Sequence, residues 1–135
     1  MSRRMSCSMT IAAVRDRTKT VTRRHVDTWC TLKPGDQLTL IEKGMGLPKG
    51  AKQVALAEVE IVDVRVELLG NIHEEHILNF NGEVVPFGVA REGLRCTASE
   101  FVRFWADGHG YRNHEHPADI PCRRIEWRYL DGGES

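Results

Sequence analysis

The chain has 135 residues, of which 41% are hydrophobic and 28% charged, a balance that suits one globular domain and argues against wholesale disorder. Lys and Arg together number 19, as do Asp and Glu, so bulk charge cannot carry binding to nucleic acid, although a local basic patch stays open. No apolar run approaches the ~20 residues of a membrane-spanning helix, and the basic start Met1–Cys7 lacks the apolar stretch of a secretory signal. The pattern predicts a soluble, cytoplasmic single domain with no membrane partner, and it assigns no oligomeric state. Cys7, Cys30, Cys96 and Cys122 are widely spaced without a C-x-x-C pair, which predicts reduced thiols rather than a zinc ribbon or a redox motif.

In chain order, Ser8–Thr18 carries apolar residues at Met9, Ile11, Ala12 and Val14 ahead of Arg15, Asp16 and Arg17. This predicts a short helix whose basic end matches the helix dipole. Lys33-Pro34-Gly35-Asp36 is a turn, because proline fixes φ and glycine admits a positive φ. Leu38 to Ile41 follows as a strand, and Gly44, Gly46, Pro48 and Gly50 mark a loop. Val54–Val66 reads as a long strand with Val62, Val64 and Val66 on the inner face and Asp63, Arg65 and Glu67 outside. Glu58 and Glu60 break that phase, so either a bulge switches faces there or two carboxylates point into a barrel mouth. Asn71–Ala90 has no assignable pattern. Thr97-Ala98-Ser99-Glu100 has the form of a capping box before Phe101, Phe104 and Trp105, and Gly108 ends that helix. A last strand, Arg124–Tyr129, puts Ile125, Trp127 and Tyr129 on one face. The fold class is α+β, a small β-barrel with flanking helices.

Chemistry concentrates in Arg15-Asp16-Arg17-Thr18-Lys19-Thr20-Val21-Thr22-Arg23-Arg24, where cations alternate with hydroxyls. Such residues grip phosphate when they converge, and otherwise form a solvated basic strand. On a strand Thr20, Thr22 and Arg24 share a face and Lys19 points away, so Lys19 meets Thr22 only if the chain turns between them. A lysine beside a threonine hydroxyl serves as base for a nucleophile when its pKa falls from ~10.4 towards neutrality. Burial and the cations Arg17, Arg23 and Arg24 push it that way, and a nearby carboxylate pushes back.

Thr18-Lys19-Thr20-Val21-Thr22-Arg23-Arg24, Leu32-Lys33-Pro34-Gly35-Asp36 and Arg91-Glu92-Gly93 ahead of the Glu100–Trp105 helix together resemble an ASCH (activating signal cointegrator homology) domain. The resemblance runs from about Met9 to Tyr129 and is carried by a K-T-x-T-x-R signature followed by a G-D turn. It implies a PUA-like barrel with a cleft lined by the signature. Small bacterial members remove the acyl group from N4-acetylcytidine with a Thr-Lys-Glu constellation, and other members bind or cleave single-stranded RNA. The resemblance places the catalytic lysine on Lys19, the nucleophile on Thr22, the motif arginine on Arg24 and the glutamate on Glu92, although the spacing of Glu92 to the helix departs from the family's. It implies a nucleoside or single-stranded nucleic acid as partner and no cofactor.

On the hydrolase reading Thr22 attacks the amide carbonyl with Lys19 as base. Glu92 orients Lys19 or helps carry a proton, and Arg24 or a backbone N–H stabilises the oxyanion. Trp29 is the candidate for stacking the base, with barrel packing as its alternative, whereas Trp105 and Trp127 belong to the core. The competing reading is a binding module in which Arg15, Arg17, Lys19, Arg23 and Arg24, helped by Thr20, hold a phosphate backbone. A third, metal-dependent cleavage of RNA, draws on His73-Glu74-Glu75-His76 and on His109, His114, Glu115 and His116. Neither group has the H-E-x-x-H spacing. Glu58 and Glu60 are the fallback carboxylates should Glu92 lie elsewhere.

Overall fold

The computed structural model describes residues 3–43, 50, 54–74, 77–78, 84–85, 91–94 and 96–130. Among the described residues, seven strands and two helices run in the order β1 (Arg3–Ser6), α1 (Ile11–Arg15), β2 (Val21–His25), β3 (Gln37–Ile41), β4 (Ala55–Leu68), β5 (Ile77–Leu78), β6 (Val84–Val85), α2 (Ala98–Gly108) and β7 (Pro121–Tyr129). Short 3-10 turns at Leu69–Glu74 and Pro117–Asp119 flank the α2 region. Five strands form one sheet in the order β1-β3-β4-β7-β2, curled into a half-barrel. Among the described residues only the β1–β3 pair is parallel. The strands β5 and β6 pair with each other inside the region 71–90 that showed no pattern.

Two strands escape the sequence pattern. β1 and β2 each carry two arginines against one apolar residue, and they are the two edges of the sheet, where alternation is weakest. The first helix is shorter than the expected Ser8–Thr18. It starts after Thr10, and Arg17, in the left-handed region at φ 68°, ends it. The expected turn is present, with Gly35 at φ 94°. Its backbone is tied to β4, since Gly35 N donates to Ile61 O at 2.8 Å and Ile61 N to Asp36 O at 2.8 Å.

The long strand resolves its phase with a bulge against β7, placed later than Glu58 and Glu60. Ala57, Val59 and Ile61 point into the core, and Glu58 and Glu60 face out. The register against β7 then slips between Ile61 and Asp63, which returns Val64 to the core. The inner face expected for Val62, Val64 and Val66 is therefore corrected. Val62 and Val66 are 42% and 51% exposed, because the bulge and the end of the curl turn them away. Glu58 accepts from the Thr39 hydroxyl and Glu60 pairs with Arg128 on the outer face, so neither serves as a fallback site carboxylate. Of the loop expected at Gly44–Gly50, only Gly50 is among the described residues.

Two apolar clusters share the interior. Met5, Val14, Leu38, Leu40, Val59, Ile61, Ile125 and Trp127 fill the curl of the sheet. Leu69, Ile72, Phe101, Val102, Trp105, Ala106, Ile120 and Cys122 pack α2 and the 3-10 turns against the far end of β4 and β7. The four cysteines are unpaired by disulfide. Among the described residues no helix is long and apolar enough to cross a membrane.

The capping box is present in full. The Thr97 hydroxyl accepts from Glu100 N at 3.1 Å, and Glu100 Oε1 accepts from Thr97 N at 2.8 Å. Thr97→Ala removes one orphan-donor partner from α2 and is expected to cost about 1 kcal/mol. Urea unfolding should show a lower midpoint at unchanged slope, and an unchanged midpoint would contradict the role given to the cap.

Candidate active site

Between the two clusters, at the gap separating edge strands β1 and β2, opens a cleft of about 260 Å³. Its polar floor is Lys19, Thr22, Arg23, Arg24 and Glu92, and its apolar wall is Phe101, Phe104 and Trp105 of α2. Lys19, Thr22, Arg23 and Glu92 are each 5% exposed or less, an unusual concentration of charge in the interior of a small domain.

The local chain explains how these residues meet. Residues 18–20 are irregular and β2 begins only at Val21, which supplies the turn that brings Lys19 and Thr22 into one cleft. Lys19 is anchored along its whole length. Its amide donates to Ala13 O at 3.1 Å, and its carbonyl accepts from Trp127 Nε1 at 3.1 Å and from the Tyr129 hydroxyl. Its Nζ donates to Val21 O at 3.0 Å and to Glu92 O at 2.6 Å, with Glu92 Oε1 at 4.0 Å.

Glu92 arrives from a distant part of the chain. Thr20 N donates to Arg91 O at 2.9 Å, and Arg91 reaches Thr20 Oγ1 at 3.3 Å and Glu126 at 2.7 Å, which latches this segment to β2 and β7. Gly93, at φ 86°, follows. A Cβ there would lie 2.7 Å from the Ala13 Cβ and 3.3 Å from the Lys19 Cβ, so glycine permits the close approach that seats Glu92.

Arg23 holds the cluster together. Its Nη1 donates to Glu92 Oε2 at 2.6 Å and its Nη2 to Glu67 Oε2 at 3.0 Å. Arg24 Nε donates to the Thr22 hydroxyl at 3.2 Å, and Arg24 Nη2 crosses to Ser6 O at 2.8 Å, bridging the gap between β2 and β1. Lys19, Arg23 and Arg24, joined by Arg65 at Glu67 Oε1, thus outnumber the carboxylates Glu67 and Glu92. An arginine does not give up its proton, so the excess positive charge falls on lysine. Burial holds the Lys19 pKa below its ordinary 10.5, Arg24 and Arg23 push in the same direction, and Glu92 and Cys7 oppose without reversing the shift. Cys7, in the cleft wall, has its thiol pKa raised by burial, against Lys19 and Arg24.

Several expected binding residues stand elsewhere. Arg15 pairs with Glu42 at 2.5 Å on the surface, and Arg17 lies over the Tyr129 ring at 4.8 Å. Thr20 is part of the latch to Arg91. Trp29 packs partly against the core with Arg3 over its ring at 4.7 Å, outside the cleft lining. Arg23 is in the cleft wall, but both ends of its guanidinium are committed to carboxylates. The five-cation phosphate grip is therefore not assembled, and Lys19 and Arg24 are the signature cations left beside the cavity. Among the described residues no three of His, Cys, Asp and Glu converge to hold a metal ion, and Glu75 and His76 lie outside the described residues. Trp105 and Trp127 are core, as expected, and they also fix the site backbone. Trp105 Nε1 donates to Arg23 O at 2.8 Å, as Trp127 Nε1 does to Lys19 O.

Glu67, Met9 and Phe104 carry no site expectation, and His109 carries one only as a metal ligand, yet Glu67 completes the ion network and the other three line the cleft. Phe104 had a signal in retrospect. It widens the apolar face of α2 beyond what Phe101 and Trp105 need for packing, and it is 48% exposed.

No protein-family model matches the chain, and no curated protein is detectably similar to it. Among solved structures, the crystal structure of hypothetical protein PH0355 superposes with a TM-score of 0.56 and 17% identity, covering 96% of this chain and 100% of that one. At that identity the likeness concerns the fold.

Arg23→Ala removes the buried cation shared by Glu92 and Glu67 and is expected to cost about 3–5 kcal/mol. Arg15→Ala, which breaks an exposed pair, should stay within about 1 kcal/mol of the parent. Chemical denaturation checks both, and equal midpoints for the two variants would contradict the central place of Arg23. Gly93→Ala is expected to destabilise by about 1–3 kcal/mol through the strained φ and the contact with Ala13, and to move Glu92. The loss should show as a lower unfolding midpoint, and Glu92 displacement as changed amide shifts of Lys19 and Val21.

Proposed function

We propose that the protein is a PUA-like, ASCH-type amidohydrolase that removes the acyl group from an N4-acylated cytosine nucleoside. The observation that carries this reading is the state of Lys19. It is a buried amine with its pKa lowered, held in one cleft with a threonine hydroxyl. A neutral amine has two N–H bonds and one lone pair. In the neutral form of Lys19 the carbonyls at Val21 and Glu92 take the two N–H bonds, which leaves the lone pair as the valence for a proton.

The reaction follows from that inventory. Lys19 takes the hydroxyl proton as Thr22 Oγ1 attacks the acyl carbonyl carbon, forming a C–O bond and a tetrahedral oxyanion. Arg24, whose Nε reaches 3.2 Å from Thr22 Oγ1, is the fixed cation beside that charge. Collapse breaks the C–N bond, and the lysine ammonium returns its proton to the leaving cytosine amine. Water then hydrolyses the threonyl ester by the same proton traffic. Glu92 steadies the ammonium while it carries the proton, and Arg23 fixes the Glu92 carboxylate. The size of the cavity favours one nucleoside over a polymer, since it lies just below the ~300–1,000 Å³ of sites for drug-sized ligands.

Purified protein is expected to hydrolyse N4-acetylcytidine, equally with and without chelator. Lys19→Ala should lower kcat by about 10²–10⁴-fold, and Thr22→Ala should bring turnover to the blank, both with native circular dichroism. Absence of turnover in the parent would overturn the substrate assignment. Salt-sensitive binding of single-stranded RNA that weakens with each arginine removed would install the binding-module reading instead. The sign of the pH dependence is also set. The active form is the neutral amine, so kcat/KM should rise with pH through the lowered Lys19 pKa and level off below 10.5. A profile flat up to the ordinary lysine range would remove Lys19 as base.

A further inference from the structure

The polar floor accounts for the acyl group and leaves the opposite half of the cleft without a task. That half is a run of rings on one side of α2 and its C-terminal cap. Phe101 and Trp105 are buried, Phe104 is 48% exposed, and His109 caps the helix. His109 lies on Trp105 with ring centroids 3.9 Å apart and planes 13° from parallel. One imidazole face is thus covered by indole while the residue as a whole is solvent-exposed and lines the cleft. Behind this pair the stacking continues, with Tyr111 near-parallel to Trp105 at 6.3 Å and to His25 at 6.0 Å. Another flat ring would extend an existing ladder.

The orientation of His109 is fixed. Its Nδ1 lies 2.8 Å from Trp105 O, and a carbonyl only accepts, so the proton is on Nδ1. Burial lowers the His109 pKa, with Arg24 and His25 adding to the effect against the Trp105 hydrogen bond, so at neutral pH the Nε2 carries a lone pair. Met9, 70% exposed on the segment between β1 and α1, adds apolar surface to the same cleft. An aliphatic ligand would need none of this geometry. A planar heterocycle bearing N–H or O–H donors uses all of it, by stacking on ring faces and donating to Nε2.

We propose that Phe104 and His109, backed by Trp105, form the platform that stacks the pyrimidine ring of a bound nucleoside, with His109 Nε2 accepting a hydrogen bond from that ligand. The choice of a pyrimidine nucleoside rests on the hydrolase reading, whereas the platform itself rests on the rings. The role sought in Trp29 thereby moves to α2.

The test is a titration with cytidine, the unreactive product, followed by calorimetry and by the ring resonances of Phe104 and His109. Both side chains are exposed, so Phe104→Ala and His109→Ala are expected to fold, which their unfolding midpoints verify. Each should weaken cytidine binding by about fivefold to a hundredfold, while Trp29→Ala and His116→Ala stay within about twofold. Binding within about twofold of the parent in both platform variants overturns the proposal. So does failure of the parent to bind cytidine, uridine or adenosine at millimolar concentration. Hydrolysis of N4-acetylcytidine on the same preparations separates the two readings. Turnover with KM unmoved in both variants overturns the platform and leaves the hydrolase. Platform-dependent cytidine binding without turnover overturns the hydrolase and leaves the platform.

Discussion

The ion pair between Arg23 and Glu92 organises the interior of this protein. Taking a guanidinium and a carboxylate out of water is costly, and the pair repays that only with good geometry and further partners. Here the guanidinium reaches 2.6 Å from Glu92 and 3.0 Å from Glu67, joining β2, β4 and the segment ahead of α2 at one point. Apolar side chains of similar volume would pack those elements at least as well. What they would not do is hold a carboxylate 4.0 Å from a buried lysine amine. The arrangement spends stability on position, as sites of chemistry commonly do.

The cleft lies where the sheet is incomplete. A closed barrel has no edges, whereas this half-barrel leaves β1 and β2 facing each other without ladder hydrogen bonds. Side chains occupy that gap instead. Arg24 reaches Ser6 O from β2, and Trp105 Nε1 satisfies Arg23 O from α2. Backbone groups that a further strand would pair are thereby given to residues of the site, and the opening remains a cavity. α2 has two duties in consequence. Phe101, Val102, Trp105 and Ala106 seal the second apolar cluster, and the neighbouring Phe104 and His109 line the cleft.

Local rules read well where one interaction dominates. The Lys33–Asp36 turn, the α2 capping box and the inner face of Ile125 and Trp127 follow from proline and glycine geometry, hydroxyl capping and a period of two. The phase break around Glu58 and Glu60 announced a bulge, although its place at Val62 depends on the partner strand β7. The signature residues Lys19, Thr22 and Arg24 were recognisable as a group, and so was Glu92, which lies 73 positions from Lys19 yet whose carbonyl accepts from the amine. Arg15, Arg17, Thr20 and Trp29 were drawn in by adjacency alone. Neighbours in a run of cations diverge once the chain turns at residues 16–20, so proximity along the chain overstated proximity in space.

Composition, turn chemistry and hydrophobic period were enough to define an α+β domain with a helix from the Thr97–Glu100 capping box to Gly108, a strand at 124–129 and a chemically dense segment at 15–24. They could not tell which cations of that segment are neutralised. That depends on Glu42, Glu67 and Glu92, which come from three separate parts of the chain and meet Arg15 and Arg23 only after folding. Nor could they state the charge of Lys19, since an amine's pKa responds to desolvation and to the balance of charges around it, and both are properties of the packed interior. The platform on α2 belongs with these. A helical period places Phe104 beside Trp105, but only the position of the open seam decides that one faces a cavity while the other fills the core.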